Sequence, residues 1–285
     1  MSIIIRNILG FCFLVLIVSA CDNSENQSED NKIMNKNLPI TEIPKEALYT
    51  VSNGRIFFGH QSVGANVING MKSLSEQAGL ELNIKELGSQ PLQQQTVFAH
   101  SNIGENNDPK SKIDDFANQI RNLGDFKPQI AFMKFCYVDF NAQSNVAEVF
   151  NYYRDTIEIL KKEKSDIVFV HLTVPLAAKS YTLKSRIKEI IGRHTWNDDT
   201  TNAKRGEFNN LILDTYSNEP VFDIARVEST YLNGKRESFI KDDKTYYRMV
   251  PDYTTDGGHL NSFGQQLVAK EMVEFLANII NTNNN

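Results

Sequence analysis

Residues 55–64 read RIFFGHQSVG, and this stretch decides the fold class of the chain. Its apolar and aromatic start, 55–58, is typical of a short buried strand. From Val63 onward the apolar residues recur at helical spacing, through Val67 and Met71. A strand that leads directly into a helix is the repeating unit of an α/β domain.

The same alternation continues towards the C-terminus. Apolar runs typical of strands occur at 82–87, 129–135, 167–174 and 221–224. Helical periodicity occurs at 113–123, 145–162, 207–216 and 262–279. Ser262 and Gln265 have the spacing of a capping box at the start of the last helix. The order predicts an α/β fold, a three-layer α/β/α sandwich around a central, mostly parallel sheet. The irregular stretch 177–202 is predicted to be an excursion over the active face.

The N-terminus has the composition of an export signal. Arg6 is followed by the apolar stretch ILGFCFLVLIV at 8–18, which has eleven residues. A membrane-spanning helix needs about 20 apolar residues, whereas a secretory signal needs about 7–15. The following VSAC, which ends at Cys21, resembles a bacterial lipobox, in which the cysteine is acylated. We therefore expect residues 1–20 to be a lipoprotein signal peptide; the alternative is an uncleaved anchor with an incidental cysteine.

The rest of the chain divides by composition. Residues 21–38 are polar, which predicts a disordered tether behind the lipidated Cys21. Residues 39–280 form the predicted catalytic body, and 281–285 a disordered tail. This organisation predicts a membrane-anchored lipoprotein of the cell envelope, either periplasmic or exposed at the surface. Only Cys136 remains in the body, so no internal disulfide is expected there.

Charge and motif content exclude several function classes. The net charge is -5 and no basic cluster occurs, which argues against a nucleic-acid partner. The sequence has neither a P-loop nor GxGxxG, so no nucleotide cofactor is expected. The five histidines, His60, His100, His171, His194 and His259, show no HxH or HExxH spacing. We therefore expect neither a metal nor another cofactor.

Ser62 is the first candidate for chemistry. It lies between the first predicted strand and the helix that follows. Active sites of open parallel sheets form beyond the carboxyl ends of the strands. At a helix N-terminus, the partial positive charge favours a developing alkoxide. The alternative is that Ser62 only caps the helix.

Asp256 and His259 are the matching candidates near the C-terminus, in TTDGGHLNSFGQQ. A histidine acts as a base when a carboxylate on its second nitrogen fixes its tautomer. The Gly-Gly turn between the two residues lets both side chains reach one cleft. Together with Ser62 they predict a Ser–His–Asp hydrolase; an exposed histidine and a loop acid are the alternative.

This arrangement resembles the SGNH, or GDSL-type, hydrolase family. In that family the nucleophilic serine follows the first strand, and a DxxH motif precedes the final helix. The resemblance extends over 55–276, most of the predicted body. It implies a flavodoxin-like fold, an esterase activity, and a triad of Ser62 as nucleophile, His259 as base and Asp256 as its orienting acid.

The resemblance also implies an oxyanion hole. Its second block supplies a glycine N–H, for which HSNIGENNDP offers Gly104, with Asn106 and Asn107 as further donors. A plain Asn-rich turn is the alternative reading of this loop. Gly88, followed by a serine after the second strand, is another position for the block.

The chain departs from the family in two blocks. The third block, GxND, reads CYVD at 136–139, so Val138 replaces the asparagine that donates to the oxyanion. Lys134, Tyr137 and Asn141 lie nearby in sequence and are the candidate substitutes. In the first block, the usual Gly-Asp-Ser reads His60-Gln61-Ser62; there we expect Gln61 to support the turn and His60 to support the site or contact substrate.

The sequence therefore predicts an exported, lipid-anchored serine esterase whose substrate is an acyl ester on an envelope or external glycan. The membrane would be its partner through the lipid anchor. A non-catalytic glycan- or ligand-binding lipoprotein of the same fold is the competing prediction. A third option keeps the fold but uses Cys136 as the nucleophile.

Overall fold

A computed structural model describes residues 42–88, 96–183, 187 and 191–283 of the chain. The predicted signal peptide, Cys21 and the tether 21–38 lie outside the described residues, and they stay predictions. Among the helices that are described, none is both long and apolar enough to cross a bilayer.

The described part of the chain is built on a six-stranded sheet. The strands are β1 (Arg55–His60), β2 (Ile84–Glu86), β3 (Val97–Asn102), β4 (Ile130–Met133), β5 (Val168–Leu172) and β6 (Val221–Phe222). Their order is β2-β3-β1-β4-β5-β6, and all of these pairings are parallel. Without β2 at the edge, this is the 2-1-3-4-5 order of flavodoxin-like folds. The predicted parallel α/β sheet is confirmed.

Helices cover both faces of the sheet. They are α1 (Lys45–Ser52), α2 (Ser62–Ala78), α3 (Pro109–Arg121), α4 (Val146–Glu163), α5 (Asp199–Thr215), α6 (Ile224–Ser229) and α7 (Ser262–Asn283). Helices α1, α2 and α7 contact one another on one face, and α3, α4 and α5 on the other. Two apolar clusters fill the space between these layers. The molecule is thus an α/β/α sandwich.

Strand β1 is buried on both faces. Ile56 and Phe58 belong to the cluster under α2 and α7, whereas Phe57 belongs to the opposite cluster. Phe57 stacks on Phe116 of α3 with 6.0 Å between ring centroids. Because side chains alternate along a strand, a continuous apolar run fills both layers. The turn that follows β1 therefore starts from a fixed position.

Several elements differ from the sequence prediction. Strand β3 and helix α1 were not predicted, nor was the antiparallel hairpin of β7 (Ser238–Lys241) and β8 (Lys244–Tyr247). Helix α5 begins earlier than predicted, because Asp198 caps it by accepting a hydrogen bond from the Thr201 N–H.

Helix α7 differs at both ends. Its capping side chain is Asn261 rather than Ser262, since Asn261 Oδ1 accepts the Gly264 N–H at 2.9 Å. Ser262 is the first helical residue. At the other end the helix continues to Asn283, so 281–283 are helical where the sequence predicted a disordered tail. Ile280, the residue before this extension, is buried and anchors it.

Candidate active site

The turn from β1 into α2 presents Ser62 to solvent. Gln61 occupies the N-cap position, with extended backbone angles and no side-chain capping bond. Ser62 is therefore the first residue of the helix, and the alternative that it only caps the helix is wrong. Its side chain is exposed and lies where the helix dipole favours negative charge.

Ser62, His259 and Asp256 form a chain of hydrogen bonds. His259 Nε2 lies 3.1 Å from Ser62 Oγ, across 197 residues of sequence. His259 Nδ1 lies 2.7 Å from Asp256 Oδ2. These distances are within the reach required for a nucleophile, its base and an orienting acid.

The loop itself holds the Asp256 carboxylate in its charged form. Partial burial acts to raise the pKa of Asp256, but the hydrogen bonds outweigh it and lower the pKa to about 2. Its Oδ1 accepts the N–H groups of Gly258 and His259, both at 2.8 Å. A carboxylate has no proton to donate, so His259 Nδ1 donates and Nε2 presents its lone pair to Ser62.

Hydrogen bonds hold the His259 loop against helix α2 and also join the two ends of the loop. The Leu260 N–H donates to Asn66 Oδ1 at 3.2 Å, which links the loop to the helix that carries Ser62. The Thr254 hydroxyl donates to the His259 carbonyl at 2.6 Å. The His259 ring also meets the Tyr137 ring edge to face, with 5.6 Å between centroids. These contacts fix the imidazole relative to the serine.

The triad is open to solvent. The side chains of His259 and Asp256 keep 40% and 53% of their exposure. An open site admits water, and it also admits an ester that projects from a large molecule.

The side chains of His60 and Gln61 form hydrogen bonds to neighbouring protein groups rather than facing this opening. His60 is buried; its Nδ1 lies 2.8 Å from the Gln61 carbonyl and its Nε2 3.1 Å from His100 Nδ1. Burial lowers the pKa of His60 to about 4. This burial gives no support to a substrate contact by His60. Gln61 supports the turn, since its Nε2 donates to the carbonyls of Ile103 and Gly104 at 2.8 and 2.7 Å.

Gly104 does not offer the predicted oxyanion donor. Its N–H donates to Asp115 Oδ2 at 2.9 Å. The φ of Gly104 is +47°, and an added Cβ would lie 2.4 Å from the backbone nitrogen of Lys112. Glycine is thus required by the turn and by the close approach of α3, while the N–H is already engaged.

The neighbouring Asn106 and Asn107 form hydrogen bonds to a buried ion pair. Lys112 Nζ donates to Asp139 Oδ2 at 2.6 Å, and neither side chain has exposed surface. Lys112 also donates to Asn106 Oδ1 at 2.9 Å, and the Asn107 N–H donates to Asp139 Oδ1 at 3.0 Å. The pair therefore joins the loops after β3 and β4, and it orients the Asn106 amide. Nothing in the helical pattern of 113–123 predicted that Lys112 would be buried.

The third block, CYVD at 136–139, lies beside the site. Two of the three residues proposed to replace its missing asparagine donor make contacts elsewhere. Lys134 is buried and donates to the Phe135 carbonyl at 2.8 Å. The Asn141 side chain closes a local turn by accepting the Gln143 N–H at 2.9 Å. Tyr137 contacts the triad, through the His259 ring.

Cys136 is a free thiol that is almost completely buried, with 1% of its surface exposed. A cysteine enclosed in this way cannot meet a substrate, because reactive thiols are partly exposed. The alternative in which Cys136 is the nucleophile therefore finds no support in its position.

No family model matches the chain, and a search of curated proteins finds no match by sequence. Solved structures of similar shape include a candidate platelet activating factor from Streptococcus pneumonia: 15% identity, 88% of this chain and 92% of that chain covered, TM-score 0.46. The periplasmic domain of a Salmonella ser. Paratyphi A lipopolysaccharide acetyltransferase has 10% identity, coverage of 89% and 97%, and a TM-score of 0.44. A candidate lipolytic protein of the G-D-S-L family from Desulfitobacterium hafniense DCB-2 has 10% identity, with 78% of this chain and 99% of that chain covered and a TM-score of 0.42. Such values carry no argument about function.

Proposed function

We propose that this chain is a serine esterase of the acyl-enzyme type. The observation that carries the proposal is the chain of hydrogen bonds from Ser62 Oγ to His259 Nε2, at 3.1 Å, and from His259 Nδ1 to Asp256, at 2.7 Å. The three residues lie at the carboxyl end of a parallel sheet, where the active sites of such folds form.

In the proposed mechanism Ser62 Oγ attacks the ester carbonyl carbon while its proton passes to His259 Nε2. Asp256 stabilises the imidazolium and keeps its orientation. The tetrahedral intermediate expels the alcohol, which takes the proton from His259. Water then attacks the acyl-enzyme with His259 again as the base, and the carboxylic acid leaves Ser62 with its hydroxyl restored.

The oxyanion requires N–H donors near Ser62. The first N–H groups of a helix have no carbonyl acceptor within the helix, so the Ser62 N–H is our first proposed donor. The Gly104 N–H is bound to Asp115, and Val138 stands where the family's asparagine would donate. Loss of one such donor reduces turnover by about 10²–10³-fold in comparable sites, so we expect modest turnover.

The proposed substrate is an acyl ester on a glycan of the cell envelope or on an external glycan. Support comes from the sequence at VSAC, which favours export and lipidation at Cys21, and from the openness of the triad. A deep, enclosed site would favour a small free ester, whereas exposed side chains of His259 and Asp256 suit an ester on a bulky polymer.

The test is covalent labelling of the full chain with a fluorophosphonate probe, together with hydrolysis of p-nitrophenyl acetate. We expect the wild type to be labelled and the Ser62→Ala variant to be neither labelled nor active. Ser101→Ala is the matched control, because Ser101 lies near the end of the adjacent strand β3, next to Gly59 in register. It should keep full labelling.

Two outcomes contradict the proposal. A wild type that is unlabelled and no faster than Ser62→Ala would favour the non-catalytic binding protein. Labelling that survives in Ser62→Ala but disappears in Cys136→Ala would move the nucleophile to the buried thiol.

A further inference from the structure

Trp196 lies beside the triad, in the segment that connects β5 with α5. Its ring centroid is 5.0 Å from that of Tyr137, and the Tyr137 ring in turn meets His259. An added Cβ on Gly257 would lie 3.3 Å from Trp196 Cη2, so the indole edge packs on the loop that carries Asp256 and His259. The indole is thus part of the wall of the active site.

A buried arginine holds the backbone that carries this indole. Arg205, which has no exposed surface, donates from Nη2 to the Trp196 carbonyl and from Nε to the Tyr137 carbonyl, the latter at 2.8 Å. Burial lowers the pKa of Arg205 to about 10, which leaves the guanidinium charged at neutral pH. One buried side chain therefore holds the backbone of both aromatic residues.

Trp196 is also exposed, with 38% of the residue's surface open to solvent. A fixed aromatic ring that is open to solvent loses little entropy on binding, which is the property of a recognition anchor. Its surroundings are polar, since Asp256 is exposed and the Asn197 amide lies at the same Gly257 edge. A flat apolar face with a polar rim suits a pyranose ring, whose axial C–H groups make one apolar face and whose hydroxyls surround it.

We infer that Trp196, with Tyr137 behind it, is a stacking platform for the sugar ring that carries the scissile ester. This inference rests on the proposed function and adds its substrate class, an O-acylated pyranoside bound through the sugar. The acyl chain is the other group that an indole could bind. The openness of the triad favours the sugar, because an acyl chain gains binding energy from enclosure on all sides.

The kinetic test compares three esters on the full chain: O-acetylated xylotetraose, p-nitrophenyl acetate and p-nitrophenyl octanoate. For Trp196→Ala we expect KM for the sugar ester to rise about three- to tenfold, the scale of one aromatic contact. We expect smaller changes in kcat and in KM for both p-nitrophenyl esters than in KM for the sugar ester. Trp196→Phe should recover most of the loss, and the thermal midpoint of each variant reports whether it is folded.

A binding test does not depend on turnover. Trp196 is the single tryptophan of the chain, so selectively excited tryptophan fluorescence of Ser62→Ala reports on this residue. We expect a saturable change when O-acetylated xylotetraose is added. The Ser62→Ala/Trp196→Ala variant should lose that binding in calorimetry.

The outcomes separate this inference from the proposed function. Turnover that depends on Ser62, with no fluorescence change and no effect of Trp196→Ala on the sugar ester, overturns the platform and leaves the esterase. Saturable binding without turnover supports the platform and overturns the esterase. A rise in KM for p-nitrophenyl octanoate alone overturns the sugar in favour of the acyl chain.

Discussion

His60 and His259 both lie at the N-terminus of helix α2, in opposite environments. His60 is 3% exposed, and its pKa is lowered to about 4 because burial penalises the charged ring. The His259 side chain is 40% exposed and joins Ser62 to Asp256. The histidine that is nearer to Ser62 in sequence is thus a structural residue, and the distant one is the proposed base.

Two carboxylates show the same contrast. Asp139 is completely buried and is paired with Lys112. Asp256 is half-exposed and is held by the N–H groups of its own turn. Buried polar groups here join neighbouring loops, whereas exposed ones retain contact with solvent. The following predictions test this division between the two sets.

The largest effect is expected for His259→Ala. Loss of the base should reduce kcat by about 10⁴–10⁶-fold, measured with p-nitrophenyl acetate. The thermal midpoint should be nearly unchanged, because the exposed ring contributes little packing. His194→Ala is the control, since His194 is a partly exposed histidine paired with Asp198, and it should keep its activity. A His259→Ala variant that unfolds would place His259 in the structural set.

A smaller effect on stability is expected for Lys112→Met. It leaves the Asp139 carboxylate buried without its cation, which should reduce the free energy of unfolding by about 3–5 kcal/mol. Arg121 lies on the same helix as Lys112 and forms an exposed ion pair with Glu163 of helix α4. Arg121→Ala should reduce the free energy of unfolding by at most about 1 kcal/mol. Urea titrations measure both. Equal losses would contradict the division between buried and exposed charges.

The smallest effect is confined to acid pH and concerns His60→Gln. The folded state keeps His60 neutral down to about pH 4, whereas the unfolded chain takes up the proton near pH 6.5. Because the unfolded state binds more protons in this window, the wild type loses stability as the pH falls from 6.5 to 4. The variant should lose less over the same range. Urea midpoints at pH 7 and 4.5 measure the difference, and parallel losses would show that His60 is not held neutral.

The sequence predicted the parallel α/β fold because that fold has a local signal. Strands buried on both faces need continuous apolar runs, and amphipathic helices need a repeat close to 3.6 residues. Strand β3 was missed, although its start at Val97 is buried, because its polar end, HSN, looks like a loop. The hairpin β7–β8 was missed for a similar reason, since three of the four residues of β7 are polar or exposed.

Local sequence also identified Ser62, Asp256 and His259 as candidates, because a strand–Ser–helix turn and DxxH are readable over a few residues. Their catalytic roles stay a prediction. What the sequence could not show is how neighbouring groups are used. Gly104 has the right residue type for an oxyanion donor, yet its N–H is bound to Asp115.

Only the tertiary structure decided which polar groups are buried and which are open. Burial depends on contacts between residues far apart in the chain, such as Lys112 with Asp139 and Arg205 with the carbonyl of Trp196. The Arg205 contact also holds the backbone of the single tryptophan, whose ring packs on the loop that carries His259. Sequence patterns encode the periodicity of each element, whereas the free energy of a charged or aromatic group depends on what surrounds it in three dimensions.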